Sequence, residues 1–150
     1  MKPRLSLTAC GLLLLAACAA NPAAQQRQQD QAADYRAAAG APVGSFNYLS
    51  SLYSWEPLDD HTLVVYTRPT QAWLLTVTPC PDLQTTFSIG VTQHVSQVST
   101  GIDSILTSRG QYPCRIQQIR PIDMAKLHAA QTGRRRIDAM PRAGAAPSGT

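Results

Sequence analysis

Two alternating runs, HTLVVYTR at 61–68 and QAWLLTVT at 71–78, flank Pro69-Thr70, and this pair constrains the fold more than any other stretch of the chain. Leu63 and Val65 fall on one face of the first run, Val64 and Tyr66 on the other. Trp73, Leu75 and Val77 share one face of the second. Side chains that alternate with a period of two belong to β-strands, and a two-residue connection makes the pair antiparallel.

Shorter runs continue the pattern. TTFSIGV (85–91) puts Phe87, Ile89 and Val91 on one face, HVSQVST (94–100) and DSILTS (103–108) flank Gly101, and CRIQQIR (114–120) lies between Pro113 and Pro121. Pro79-Cys80-Pro81-Asp82 and Arg109-Gly110-Gln111 read as breaks. Turn signals at this spacing, with no strand–helix alternation and no repeat, predict a mainly β fold, a small antiparallel barrel or sandwich. DMAKLHAAQT (123–132) reads as one short C-terminal helix, capped by Asp123 and ended by Gly133.

The N-terminal end carries an address. Lys2 and Arg4 precede an almost wholly apolar stretch from Leu5 to Ala17, which then gives way to NPAAQQRQQDQ. The run is shorter than the roughly 20 residues of a bilayer span and has the plan of a secretory signal. Leu15-Ala16-Ala17-Cys18 resembles the bacterial lipobox. That resemblance implies cleavage before Cys18, acylation of Cys18 and anchoring in a membrane through several acyl chains. Ala19 and Ala20 are not acidic, which on the same resemblance favours the outer membrane, with the domain facing the periplasm. Cys10 follows too brief an apolar run and stays inside the signal. A plain secretory signal with an incidental Cys18 is the alternative.

The expected organisation is a signal at 1–17, an anchored Ala/Gln-rich tether at 18–43, disordered or partly helical, a β domain at 44–132 and a disordered basic tail at 133–150. As a flexible coil the tether would reach about 30 Å. The net charge of +4 sits at the ends. Residues 44–123 hold four arginines against six acids, while 124–150 hold five basic groups against Asp138. A fold that is itself mildly acidic argues against a nucleic-acid partner.

With Cys10 and Cys18 accounted for, Cys80 and Cys114 remain, and in an oxidising compartment they are expected to pair. Closing a loop of about 34 residues is worth roughly 3.5–4 kcal/mol on the chain-entropy model. No further Cys or His stands at metal-finger spacing, so neither a metal nor a cofactor is expected.

Several residues are candidates for binding or chemistry. Asp59-Asp60-His61 could do acid–base work or hold a cation, or be turn chemistry before a strand. His94 and Asp103 are possible partners for His61; Asp103, in Gly101-Ile102-Asp103, could instead bond turn amides. Trp73 reads as core. Trp55, just before the first predicted strand, plugs one end of a barrel or, with Tyr53, offers an aromatic surface to a partner or glycan. Arg134-Arg135-Arg136 could meet acidic headgroups or serve as a solvated tail. No nucleophile motif such as GxSxG is present, so the expectation is a non-catalytic binding or structural protein with an envelope-protein or cell-wall partner. The alternative is a small metal- or glycan-binding module, or an enzyme, centred on His61 and His94 or on Trp55.

YSWEPLDDHTLVVYTRPTQAWLLTVTPCPDL, then VSTGIDSIL and CRIQQIRPID, together resemble an uncharacterised envelope-protein family, the domain of unknown function numbered 6491. Its recurring features are a Trp-x-x-Leu-Asp lead, an aliphatic strand, a Leu-Leu strand into Cys-Pro-x-Leu, a Gly-x-Asp and a late Cys-x-Ile-x-x-Ile. The resemblance supports the boundaries and the Cys80–Cys114 pairing and implies no activity.

Overall fold

A computed structural model describes residues 21–49, 51–110 and 112–139. The expected signal and Cys18 lie outside the described residues, as does the end of the chain from 140. Helix α1 (Pro22–Ala38) comes first. Then follow β1 (Ser45–Asn47), β2 (Ser54–Pro57), β3 (Thr62–Arg68), β4 (Gln71–Val77), β5 (Ile89–Val91), β6 (Gln97–Ser99), β7 (Ser104–Thr107) and β8 (Cys114–Pro121). Helix α2 (Met124–Ala139) closes the order. The fold is mainly β and antiparallel, with the expected C-terminal helix.

Six strands form one sheet in the order β2-β3-β4-β8-β7-β5, and β1 pairs with β6 in a separate ribbon. The alternation in β3 and β4 sorts their side chains onto two cores. Leu63, Val65, Leu75 and Val77 face Phe46 and Val98 of the ribbon, with Ile105, Ile116 and Ile119 from β7 and β8. Val64, Ala72 and Leu74 face Tyr35 and Ala38 of α1 and Leu127 of α2. The molecule is therefore layered as ribbon, sheet and helix pair. Trp73 packs against the ribbon-side core and stacks on Phe46 with centroids 4.9 Å apart. A disulfide joins Cys80, after β4, to Cys114 at the start of β8, as expected.

Residues 19–43 do not act as a free tether over their described part. Asn21 accepts a hydrogen bond from the Ala23 amide and Pro22 opens the helix, a favourable start. Ala32, Tyr35 and Ala38 lie on the inward face and are buried. The Tyr35 hydroxyl donates to Glu56 Oε2 at 2.6 Å and shares a 2.9 Å hydrogen bond with the Tyr66 hydroxyl, while Gln31 donates to Glu56 Oε1. Arg120 donates from Nε to the Gly40 carbonyl and from Nη2 to the Ala39 carbonyl, closing the helix end onto β8. Burial first, then the hydrogen bonds to Glu56 and Tyr66, pushes the Tyr35 phenol well above its ordinary value of 10.0. Burial raises Tyr66 as well.

The basic tail also begins later than expected. Asp123 caps α2, its Oδ1 accepting from the Ala125 and Lys126 amides at 3.0 Å each. The helix then runs through Gly133 instead of ending there. Arg134 explains the extension: its guanidinium pairs with Asp34 and, at 3.9 Å, with Asp30, both on α1. Of the arginine run, only Arg135 and Arg136 are exposed. Among the described residues, no helix is long and apolar enough to cross a membrane.

Candidate functional site

Strands β2 and β5 are the two edges of the six-stranded sheet. The sheet curls far enough that Trp55 of β2 and Ile89 of β5 line one cleft of about 540 Å³. β-bulges between Thr76 and Val77 and between Tyr66 and Arg68 interrupt the ladders, and bulges of this kind bend and twist a sheet. Tyr48, Leu52, Tyr53 and Phe87 complete the apolar lining, with Ser51, Ser54 and Ser88 between them. Among the described residues, no charged side chain lines it. Tyr53 and Phe87 are 65% and 78% exposed, while Trp55 is half-buried against the ribbon-side core.

Trp55 thus does more than plug one end of a barrel. It lies within a strand, β2, that alternation did not reveal, and its ring joins core to cleft. Phe87 was expected to share one strand face with Ile89 and Val91. Strand β5 begins only at Ile89, so the alternation does not extend back to Phe87. Tyr48 and Phe87 are cleft residues the sequence reading missed; for Phe87 the available signal was an aromatic beside Ser88 in a Pro- and Thr-rich segment.

Asp59, Asp60 and His61 form the tight turn between β2 and β3. Asp59 Oδ1 accepts from the His61 amide at 2.8 Å and Oδ2 pairs with Arg36 of α1 at 2.7 Å. His61 Nδ1 meets Asp60 Oδ1 at 2.7 Å, with both side chains about half exposed. These three offer possible cation ligands within 4.8 Å of one another. Asp59, however, already serves the turn and the helix contact.

His94 belongs to a different cluster. Its Nδ1 meets Asp103 Oδ1 at 3.0 Å, and Asp103 is wholly buried. The Thr92 hydroxyl donates to the same Oδ1 at 3.0 Å, and the Ser99 amide donates to Oδ2 at 2.7 Å. Asp103 is the organiser of its loop, as its turn reading anticipated, and it orients the exposed His94 ring. These two histidines have separate carboxylates: His61 pairs with Asp60 and His94 with Asp103, and His94 is not part of the three-residue ligand group. A buried carboxylate fixing a histidine through Nδ1 is the orienting half of a triad. Among the described residues, no hydroxyl or thiol is hydrogen-bonded to this ring.

A family model described as a family of unknown function (DUF6491) matches residues 1–138. The chain belongs to DUF6491. No curated protein and no solved structure matches it. In this DUF6491 chain the motif positions fall mostly on the scaffold. Leu74 and Leu75 sit on opposite faces of β4, Leu83 is wholly buried after Cys80, Asp103 braces its loop, and Ile116 and Ile119 fill the ribbon-side core. Trp55 alone of them lines the cleft.

Proposed function

We propose that this DUF6491 protein is a lipid-anchored, non-catalytic envelope protein that binds an uncharged stretch of a carbohydrate in the cleft between β2 and β5. The observation that carries the reading is the cleft lining: four aromatic rings and three serine hydroxyls with no charge among them. Aromatic faces stack on the apolar faces of sugar rings, and hydroxyls exchange hydrogen bonds with sugar hydroxyls. A charged peptide or lipid headgroup would find no countercharge there. Exposing Tyr53 and Phe87 on one cleft leaves apolar area in water, as expected of a surface that meets a ligand. The Leu15–Cys18 lipobox pattern supports anchoring, and the Cys80–Cys114 disulfide suits an oxidising compartment.

Two experiments test the two halves. Cys18→Ala should abolish acyl labelling and release the protein from membranes; continued retention would refute the anchor. Tyr53→Ala with Phe87→Ala should leave the melting temperature nearly unchanged, because both side chains are largely exposed. The same pair should weaken binding to an N-acetylglucosamine oligosaccharide by at least about tenfold, since aromatic contacts dominate such sites. Undiminished binding would refute the cleft as the site.

A further inference from the structure

We propose that an anion-recognising subsite centred on Arg68 adjoins the aromatic cleft, so that the preferred ligand is a saccharide bearing a carboxylate. This rests on the carbohydrate reading of the cleft. A second cleft of about 630 Å³ lies at the β3–β4 turn, and Ser51 lines both. Its other lining residues include Asn47, Arg68, Gln71, Ser96 and Gln97, with no acidic side chain among the described residues.

The donor balance points to an anion. Arg68 is exposed and, among the described residues, belongs to no ion pair. The Thr67 hydroxyl donates to Gln71 Oε1 at 3.0 Å, which leaves the Gln71 amide group as a donor. Gln97 Nε2 donates to Asn47 Oδ1 at 3.5 Å, so the Asn47 amide group is likewise left to donate. Two amide acceptors are thus engaged within the protein, and a guanidinium and two amide groups remain as donors on the cleft against one free amide acceptor, Gln97 Oε1. A guanidinium offers a carboxylate two parallel hydrogen bonds.

The rim of this cleft is also strained. Val95 and Ser96 adopt φ of 51° and 58° at the tip of the His94–Gln97 turn, and Val95 is 97% exposed. A β-branched residue at positive φ is costly, and such strain persists only where the surroundings enforce it. Here the Ser96 carbonyl accepts from the Tyr48 amide at 2.8 Å, tying the tip to a residue of the aromatic cleft.

The test compares two ligands on purified full-length protein by titration calorimetry: tetra-N-acetylchitotetraose, and the same oligosaccharide with C6 hydroxyls oxidised to carboxylates. Wild type should bind the oxidised form about tenfold more tightly, the worth of one charge-assisted hydrogen-bonded contact, with the preference shrinking in 0.5 M salt. Arg68→Gln should erase the preference and keep the neutral affinity, and Arg68→Lys should keep part of the preference. Equal affinities in wild type, or a preference that survives Arg68→Gln, would overturn the subsite while leaving the aromatic cleft standing. Failure to bind the neutral oligosaccharide at all would overturn the cleft reading and this one with it.

Discussion

Tyr35→Phe is the sharpest test of whether α1 is part of the fold or a spacer beside it. The substitution keeps the ring, which is 2% exposed, and removes one oxygen. That oxygen donates to Glu56 Oε2 at 2.6 Å and shares a bond with the Tyr66 hydroxyl at 2.9 Å. A hydrogen bond to a charged group is worth about 1.5–3 kcal/mol, and the half-buried Tyr66 hydroxyl loses a partner as well. Gln31 still donates to Glu56, which limits the damage. The expected loss is about 2 kcal/mol, or roughly 6 °C in melting temperature for a domain of this size. Urea unfolding followed by circular dichroism would measure it. Hydrogen exchange should show faster exchange across 22–38 than in β3 and β4. Tyr66→Phe alone and the double variant complete a cycle, and the two changes should not add. A loss under about 0.5 kcal/mol, with unchanged protection of α1, would refute the view that this cluster docks the helix.

The raised phenols make stability fall in alkali. The folded state holds the Tyr35 and Tyr66 protons while unfolded tyrosines release theirs near 10.0, so their stabilising contribution is complete below pH 10 and declines above it. Tyr35→Phe should flatten that decline in a pH series of melts, and an unchanged slope would refute the assignment. Replacing Cys80 and Cys114 together by serine should cost roughly 3.5–4 kcal/mol, matched by reductant on the wild type; equal stabilities would show that the disulfide does little. Asp123→Ala removes the acceptor for two amides and should cost about 1 kcal/mol, with fraying at the start of α2 visible by hydrogen exchange.

The legible part of the fold was the part whose signal is carried by single residues in local order. Strands β3 and β4 each bury alternate side chains on two faces, so Leu63, Val64, Leu74 and Leu75 announce both the strand and its central place. Asp123 announces a helix start by the same local logic. Helix α1 was legible as a helix former but not as a packed element. Two of its three inward residues are alanines, which look alike on a tether and in a core. What commits Tyr35 to the interior is Glu56 and Tyr66, which are distant in sequence and reach it only once β2 and β3 are paired. Gly133 misled for a similar reason: the pairing of Arg134 with Asp30 and Asp34 joins two ends of the chain and outweighs a local stop signal.

The cleft was least legible, because it is made by the curl of the sheet and not by any one segment. Trp55 and Tyr53 were visible as an aromatic pair with two possible roles, whereas Phe87 was read only as sharing one strand face with Ile89 and Val91. The strand starts only at Ile89, so that shared face does not reach Phe87, which emerges into solvent. A large apolar residue at the right period but on the wrong side of the surface breaks a local rule, and such breaks tend to fall where function requires them. The same holds for Val95, a β-branched residue at positive φ on the rim of the neighbouring cleft. Both departures lie at the mouths of two clefts that meet at Ser51, while the two helices and the scaffold motifs obey their packing on the rest of the molecule. If these departures were neutral, Phe87→Ser and Val95→Gly would relieve exposed apolar area and backbone strain without penalty. On the binding reading, they would hold or raise stability while weakening the ligand, and that opposition separates a functional surface from a tolerated defect.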